Sequence, residues 1–211
     1  MSSSERTVAL IVAAGSGSRV GGDLPKQFRL VRGQPMLRHS YVALASHETI
    51  SDIYVAIGEG QNELASESLN GLLPPRLVLG GATRRESVLN GLKHIMQDGG
   101  AARVLIHDAA RPFLSHEVIS SLITALDVAP GAVPALAVVD SLARGEESLA
   151  STVEREHLLR IQTPQAFHFD AIYQAHRDWS GDEPSDDARM LMAPGQEVRI
   201  VAGDERLSKY T

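Results

Sequence analysis

The sequence predicts an α/β fold, a three-layer sandwich with a mostly parallel, twisted, Rossmann-like sheet and one protruding arm. Three observations predict it. Short apolar runs alternate with segments of helical spacing from Val8 to about Val139. The runs are continuously apolar, as strands buried on both faces are. The loops at 15–26, 80–87 and 107–112 each follow such a run, and ligands of parallel sheets sit beyond the carboxyl ends of strands. These loops are expected to converge on one cleft. The whole chain, 1–211, reads as a single domain, with 140–160 set apart as the arm.

The elements follow in order. Val8 to Ala14 is the first strand, and it breaks into Gly15-Ser16-Gly17-Ser18-Arg19. Gly33-Gln34-Pro35-Met36 turns into a helix with proline near its start. Met36, Leu37, Ser40, Tyr41, Leu44 and Ala45 carry its helical spacing. Ile53 to Ile57 is a strand, 60–71 a weakly patterned polar helix ended by Pro74-Pro75, and Leu77 to Leu79 a third strand. Thr83 to Glu86 has capping-box spacing and opens a helix with Val88, Leu89, Leu92, Ile95 and Met96 on one face. Arg103 to Ile106 is the fourth strand, and a helix follows over 115–127. Ala132 to Val139 is the fifth strand, although Pro134 predicts an edge position or an irregularity. From Asp140 to Leu159 the pattern stops. This polar stretch has no inward face for a core helix; it reads as a disordered insertion or, the favoured reading, as an arm that packs on a second subunit. Residues 161–167 return to the body, 169–179 is helical, 182–187 is an acidic loop with an N-cap, and 198–201 is the last strand.

Bulk properties narrow the function classes. The net charge of −6 makes non-specific nucleic-acid binding a poor reading. Local cations are therefore features of a site rather than of a basic surface. The absence of cysteine removes disulfides and thiolate zinc sites, and fits a cytoplasmic protein. No signal core and no apolar run of membrane-spanning length occurs, so no membrane partner is expected. His39, His47, His94, His116, His157, His168 and His176 show no ligand spacing and read as surface or helix residues.

Two stretches carry chemistry. In the first, glycines after a strand let backbone N–H groups approach an anion, and Arg19 and Lys26 add full positive charge. A polyphosphate is the expected guest. The pattern is neither GxxxxGK[ST] nor GxGxxG, since Val20 stands where the third glycine belongs. The plain alternative is a glycine-rich turn with two surface cations. In the second, His107-Asp108-Ala109-Ala110-Arg111-Pro112, Asp108 can accept substrate hydroxyls or approach a metal. Arg111 can grip a phosphate bidentately. The plain alternative is a local Asp–Arg pair worth about 1 kcal/mol or less. Gly80-Gly81 before Thr83 and Ser87 offers a further close backbone approach, suited to a base and ribose.

The first pattern, A-A-G-x-G-x-R followed by P-K, resembles nucleotidyltransferases. Together with Gly80-Gly81, Ser87-Val88, the HDAARP string and Thr163-Pro164-Gln165, the chain resembles the 2-C-methyl-D-erythritol 4-phosphate cytidylyltransferases of the non-mevalonate isoprenoid pathway, from about Val8 to Thr211. The resemblance implies the nucleotidyltransferase fold, a homodimer, magnesium as cofactor, and CTP with a polyol phosphate as substrates. It implies catalytic roles for Arg19, Lys26 and Lys209 on the phosphates. It places Ala13, Ala14, Gly15, Gly17, Gly81, Ala82, Ser87 and Asp108 at the nucleotide, with Asp108 also near metal. It places Arg111, Ser141, Arg155 and Thr163 on the substrate side, Arg155 reaching a neighbouring subunit. Ala82 stands where the family often has an acidic residue, so that side-chain contact is lost. Ser141 and Ser185 stand where threonine is common.

The family normally continues past Thr211 into a final helix, and similar sequences fuse this domain to a cyclodiphosphate synthase. A fused or associated synthase is therefore an expected partner. The expected reaction gives 4-diphosphocytidyl-2-C-methyl-D-erythritol and pyrophosphate. The rivals are a cytidylyltransferase for ribitol 5-phosphate or another polyol phosphate, and an inert nucleotide-binding module.

Overall fold

The computed structural model describes residues 6–15 and 24–210. The opening apolar run is β1 (Thr7–Ala13), and it lies inside the sheet. It pairs in parallel with β4 (Asp52–Ile57) on one side and β6 (Arg103–Asp108) on the other. β5 (Arg76–Leu79) continues the sheet beyond β4, again in parallel. Ala9, Ile11 and Ala13 enter one core, while Val8 and Leu10 enter the other. Both faces of the strand are covered, which is why no polar residue interrupts it. Each fully buried side chain such as Leu10 or Ile106 contributes roughly 1.5–3 kcal/mol.

Helices cover both faces. α1 (Met36–Ala45), α2 (Asn62–Ser68) and α4 (His116–Ala125) lie on one. α3 (Arg84–Gln97), α5 (Phe169–Asp178) and α6 (Asp187–Met192) lie on the other. The predicted cap of α3 forms: Glu86 N–H donates to Thr83 Oγ1 at 3.1 Å. Glu86 reaches back one residue further than the box requires, accepting from Ala82 N–H at 2.8 Å. A two-residue ladder, β2 (Leu30–Val31) with β3 (Gln34–Pro35), precedes α1.

The second half of the sheet departs from simple alternation. β10 (Leu159–Ile161) and β11 (Gln165–His168) run antiparallel along β7 (Gly131–Ala137), and β11 also pairs β6. β12 (Val198–Ala202) pairs β7 in parallel. Pro134 therefore sits in an interior strand and not at an edge. The irregularity lies in its neighbour. Pro134 O accepts from Gln162 N–H at 2.8 Å, so its missing donor faces the same side. There the chain steps from β10 to β11, and the ladder is already interrupted. The 140–160 stretch holds a hairpin, β8 (Leu142–Gly145) with β9 (Leu149–Val153), separate from the main sheet. Its flank exposes Val139 (67%) and its second strand Leu149 (84%). No helix among the described residues is long and apolar enough to cross a membrane.

Candidate functional site

The register of β1 and β6 places Asp108 opposite Val12, at the carboxyl edge of the sheet and beside the loop that begins at Ala14. Gly80 closes the gap on the other side. A Cβ at Gly80 would stand 2.4 Å from Ala14 Cβ and 2.9 Å from Ser87 Oγ. Only a residue without a side chain lets these two loops meet. Ser87 then holds the turn, accepting from Gly81 N–H at 3.0 Å and donating to Thr83 O at 2.9 Å. Gly80→Ala is expected to force the loops apart and cost about 1–3 kcal/mol, the scale of overpacking. Thermal unfolding checks this.

The loop after β1 has a buried support. Gln27 Nε2 donates to Gly15 O at 3.1 Å and to Gln61 Oε1 at 3.2 Å. It also reaches Ala13 O. Lys26 begins the adjoining 3-10 turn, Lys26–Phe28, and its Nζ donates to Tyr210 O at 3.4 Å. The next residue inward from Tyr210 is Lys209, whose Nζ donates to Asp108 Oδ2 at 2.7 Å. Residues 209–210 thus touch both predicted cations' surroundings: Tyr210 O meets Lys26, and Lys209 itself meets Asp108.

Asp108 is the hub. Its Oδ1 accepts from Arg84 Nε at 3.0 Å while Lys209 holds Oδ2. Arg84 also pairs with Asp187 at 2.8 Å, and Asp187 Oδ1 lies 3.1 Å from His176 Nε2. Burial alone pushes the Asp108 carboxyl up, but Arg84 and Lys209 overcome it and hold the group well below the usual carboxylate range. Burial acts on Asp187 in the same direction, and Arg84 and His176 again bring it down. Both carboxylates therefore stay charged. Arg111 does not join this network as the local partner of Asp108. Its Nη1 donates to Leu207 O at 2.6 Å.

A cleft of ≈ 100 Å³ opens at this network, lined by Arg84, Asp108, Arg111, Gln162, Thr163, Gln165, Ser185, Asp186 and Lys209. Arg84 Nη2, Arg111 Nε and Gln165 Nε2 are buried and carry no hydrogen-bond partner. Three idle donors around one cleft ask for an oxygen-rich, anionic guest. A larger hollow of ≈ 710 Å³ lies against α1 and Pro112–His116, and it contains none of the predicted site residues.

Of the predicted residues, Asp108, Arg111, Thr163 and Lys209 line this cleft, while Lys26 reaches Tyr210 O beside it and Gly81, exposed Ala82 and Ser87 form the turn before α3. Ala13 is buried at the end of β1, with Ala14 and Gly15 leading out of it. Gly17 and Arg19 lie outside the described residues. Ser141 and Arg155 are not brought to this cleft. Both are exposed on the arm, where Arg155 Nη1 donates to Val139 O. Sequence reasoning missed Arg84, Gln165, Asp187 and Gln27 as parts of the site. It also misplaced His47, which is 6% exposed and lies past the end of α1; His176 is helical as expected but only 1% exposed. Phe169, Ile172 and His176 share one buried helix face, and that spacing is the signal that places His176 inside.

His107 stands behind Asp108, fully buried. Its Nδ1 lies 3.2 Å from Thr163 Oγ1 and its Nε2 3.1 Å from Arg111 O. Burial pushes the imidazole from its ordinary 6.5 to about 4, although Asp108 and the bond to Arg111 O oppose this. Between these two values the unfolded chain holds the extra proton and the folded chain does not. Stability present above pH 6.5 is therefore lost as pH falls toward 4. The loss expected from this group is about 3 kcal/mol. Urea unfolding at a series of pH values measures it, and His107→Asn should flatten that limb.

The fit of a metal is poor. Both Asp108 oxygens already face cations, and no group of three potential ligand side chains occurs among the described residues. The described residues offer no cage of the kind that holds a resident divalent ion.

Comparison with known proteins adds an independent line. The family profile described as 2-C-methyl-D-erythritol 4-phosphate cytidylyltransferase matches residues 7–211. A "Bifunctional enzyme IspD/IspF" from Novosphingobium aromaticivorans is 49% identical over 209 residues, covering 98% of this chain and 54% of that protein. A "2-C-methyl-D-erythritol 4-phosphate cytidylyltransferase" from Cereibacter sphaeroides is 43% identical over 208 residues, covering 97% of this chain and 91% of that one. A crystal structure of 4-diphosphocytidyl-2C-methyl-D-erythritol synthase superposes with a TM-score of 0.85 at 30% identity, covering 98% of this chain and 92% of that one. The chain spans about half the length of the bifunctional relatives it matches.

Proposed function

This chain belongs to the 2-C-methyl-D-erythritol 4-phosphate cytidylyltransferase family, and we propose that it joins CTP to 2-C-methyl-D-erythritol 4-phosphate. The products are 4-diphosphocytidyl-2-C-methyl-D-erythritol and pyrophosphate, and the setting is isoprenoid precursor biosynthesis. The observation that carries this reading is the cleft beyond β6. Arg84, Arg111, Gln165 and Lys209 line it, and Arg84 Nη2, Arg111 Nε and Gln165 Nε2 are buried with no hydrogen-bond partner.

The chemistry needs little more than position and charge. An oxygen of the substrate's 4-phosphate attacks the α-phosphorus of CTP in line. One P–O bond forms, the bond to the β-phosphate breaks, and pyrophosphate leaves with that electron pair. The nucleophile is already an anion, so no general base is required. The chain's task is to cancel repulsion between two anions and to stabilise the crowded phosphorus. Lys26, Lys209 and Arg19 supply the cations for this, and Arg111 and Thr163 take the substrate side. Magnesium enters as the counter-ion of the nucleotide, not as a resident of the protein. Gly80 lets the loop after β1 close on Ser87, and Gly81 leaves room for Glu86, so the two glycines shape the turn that precedes α3.

The arm completes the proposal. Its exposed Val139 and Leu149 support packing on a second copy, which would carry Ser141 and Arg155 toward the neighbour's substrate. A cytoplasmic setting and a fused or associated cyclodiphosphate synthase remain part of this reading. The bifunctional names of the relatives support the latter. The test is pyrophosphate release from CTP with 2-C-methyl-D-erythritol 4-phosphate and, separately, with ribitol 5-phosphate. Release with the first alone supports the reading. Preference for ribitol 5-phosphate, or tight CTP binding with no release, would replace it with one of the rivals.

A further inference from the structure

β1 and β4 part where two side-chain amides lie between them. Ala13 pairs with Ile57, and Ile57 O is turned to the far side, where it accepts from Gly80 N–H at 2.8 Å. The next bond of the parallel ladder would therefore run from Gly58 N–H to Ala13 O. Two glutamines take its place. Gly58 N–H donates to Gln61 Oε1 at 3.1 Å, and Ala13 O accepts from Gln27 Nε2. The amides also meet each other, Gln27 Nε2 donating to the same Gln61 Oε1 at 3.2 Å. Neither amide can be turned round. Ala13 O and Gly15 O only accept, so Nε2 of Gln27 faces them; Gly58 N–H only donates, so Oε1 of Gln61 faces it. Gly58 is a glycine for a related reason: a Cβ there would stand 2.8 Å from Gln61 Nε2 and 2.9 Å from Gln61 Cδ.

We propose that Gln27 and Gln61 are positioning residues for the transfer, a paired-amide brace that fixes Lys26 against the start of the loop that leaves β1. The inference rests on the nucleotidyl-transfer reading and deepens it by saying what sets the geometry of the phosphate cations. Gln27 directly follows Lys26, in a turn whose Gln27 and Phe28 are both buried, at 3% and 4% exposure. One amide thus ties the turn that carries Lys26 to the carbonyls of 13 and 15. Gln61 ties that amide in turn to the end of β4. A triphosphate that touches both the loop and the Lys26 ammonium then meets them at a separation already set. Misplacing such a group by about 1 Å can cost on the order of 10²-fold in rate. The chemistry of the brace suits its place. An amide offers two protons to oxygens without adding a charge beside Lys26, whereas a carboxylate would face the carbonyls with nothing to donate.

Two measurements decide it. Kinetics are the first. Gln27→Met keeps the length of the side chain and removes both donors. It is expected to lower kcat for pyrophosphate release by about 10- to 10²-fold, with KM for the polyol phosphate unchanged. In the Lys26→Ala background the same change should lower kcat no further, because the amide acts through Lys26. The urea midpoint should fall equally in both backgrounds. Losses in kcat that multiply, or equal rises in both KM values, would show a packing role and overturn the proposal. Gly58→Ala reaches the brace from the other side, since its methyl pushes the Gln61 amide away without touching Gln27. It should lower kcat in the same direction and add nothing in the Gln27→Met background; unchanged kcat in Gly58→Ala overturns the proposal. The second measurement needs no turnover. In 15N–1H spectra of the labelled whole protein, the Gln27 carboxamide protons should exchange slowly with water, and faster in Gly58→Ala. Rapid exchange in the wild type, or no change in Gly58→Ala, overturns the brace. If the wild-type protein released no pyrophosphate with any polyol phosphate, the functional reading would fail, while the exchange rates would still decide whether the two amides are joined.

Discussion

Asp108→Asn is expected to destabilise the fold by about 3 kcal/mol, the scale of breaking a buried ion pair from one side. Asparagine keeps the volume, so packing survives and only charge is lost. The two cations then fare differently. Lys209 is 40% exposed along its side chain and can turn to water, so its pairing contributes little. Arg84 is 25% exposed, with one nitrogen already buried and idle. It would keep Asp187 alone as counter-charge. Burial opposes the charge on the Arg84 guanidinium, and the two carboxylates are what hold its pKa above the ordinary value. The pH dependence gives a second handle. The folded pKa of Asp108 lies below its unfolded value, so its contribution is present above the ordinary carboxylate range. It is lost only as pH falls through the folded value. Urea unfolding of wild type and variant should therefore differ across neutral pH and converge only in strong acid. A difference under about 1 kcal/mol at neutral pH would mean that water screens the pair far more than its burial implies.

The same network explains what could be read from the chain and what could not. β1 was legible because its cause is local: a doubly covered strand must be apolar throughout. Thr83 was legible as a cap because its partner, Glu86, is three residues away. Arg84, immediately next to Thr83, looked like part of that cap. Its partners are Asp108 and Asp187, 24 and 103 positions distant, and no periodicity joins them. Gln27 is similar: it was visible beside Pro25 and Lys26, but its task is to hold carbonyls of a loop 12 to 14 positions back. Pro134 misled for a related reason. Proline argues against an interior strand when its neighbour is continuous, and the break between β10 and β11 is set by residues nearly thirty positions later. The arm gave no alternation because both strands of its hairpin are largely exposed, so no buried face imprinted a pattern.

Lys26→Ala is expected to lower turnover by about 10²–10³, equivalent to roughly 2.7–4 kcal/mol of lost charge stabilisation. The argument starts from position. Lys26 is fixed at the start of a short turn whose next residue, Gln27, is buried and anchored. Its ammonium reaches the carbonyl of Tyr210, one residue from the Lys209 that holds Asp108. A cation set at the start of an anchored turn needs less reorganisation when a triphosphate arrives, and preorganisation is what makes such a charge effective. In the proposed transfer the nucleotide is already anionic in its ground state, so Lys26 assists binding as well as reaction. The effect on kcat should nonetheless exceed the effect on CTP affinity, because charge concentrates at the α-phosphorus only as the new bond forms. Pyrophosphate release at saturating CTP, alongside a calorimetric titration of CTP, separates the two. Lys26→Arg keeps the charge but changes its shape from a point to a fork, and a partial recovery would locate the requirement in charge. Near-normal turnover of Lys26→Ala would remove the residue from the mechanism. A loss confined to CTP affinity would make it an anchor for the nucleotide and leave stabilisation of the reacting phosphorus to Lys209 and Arg19.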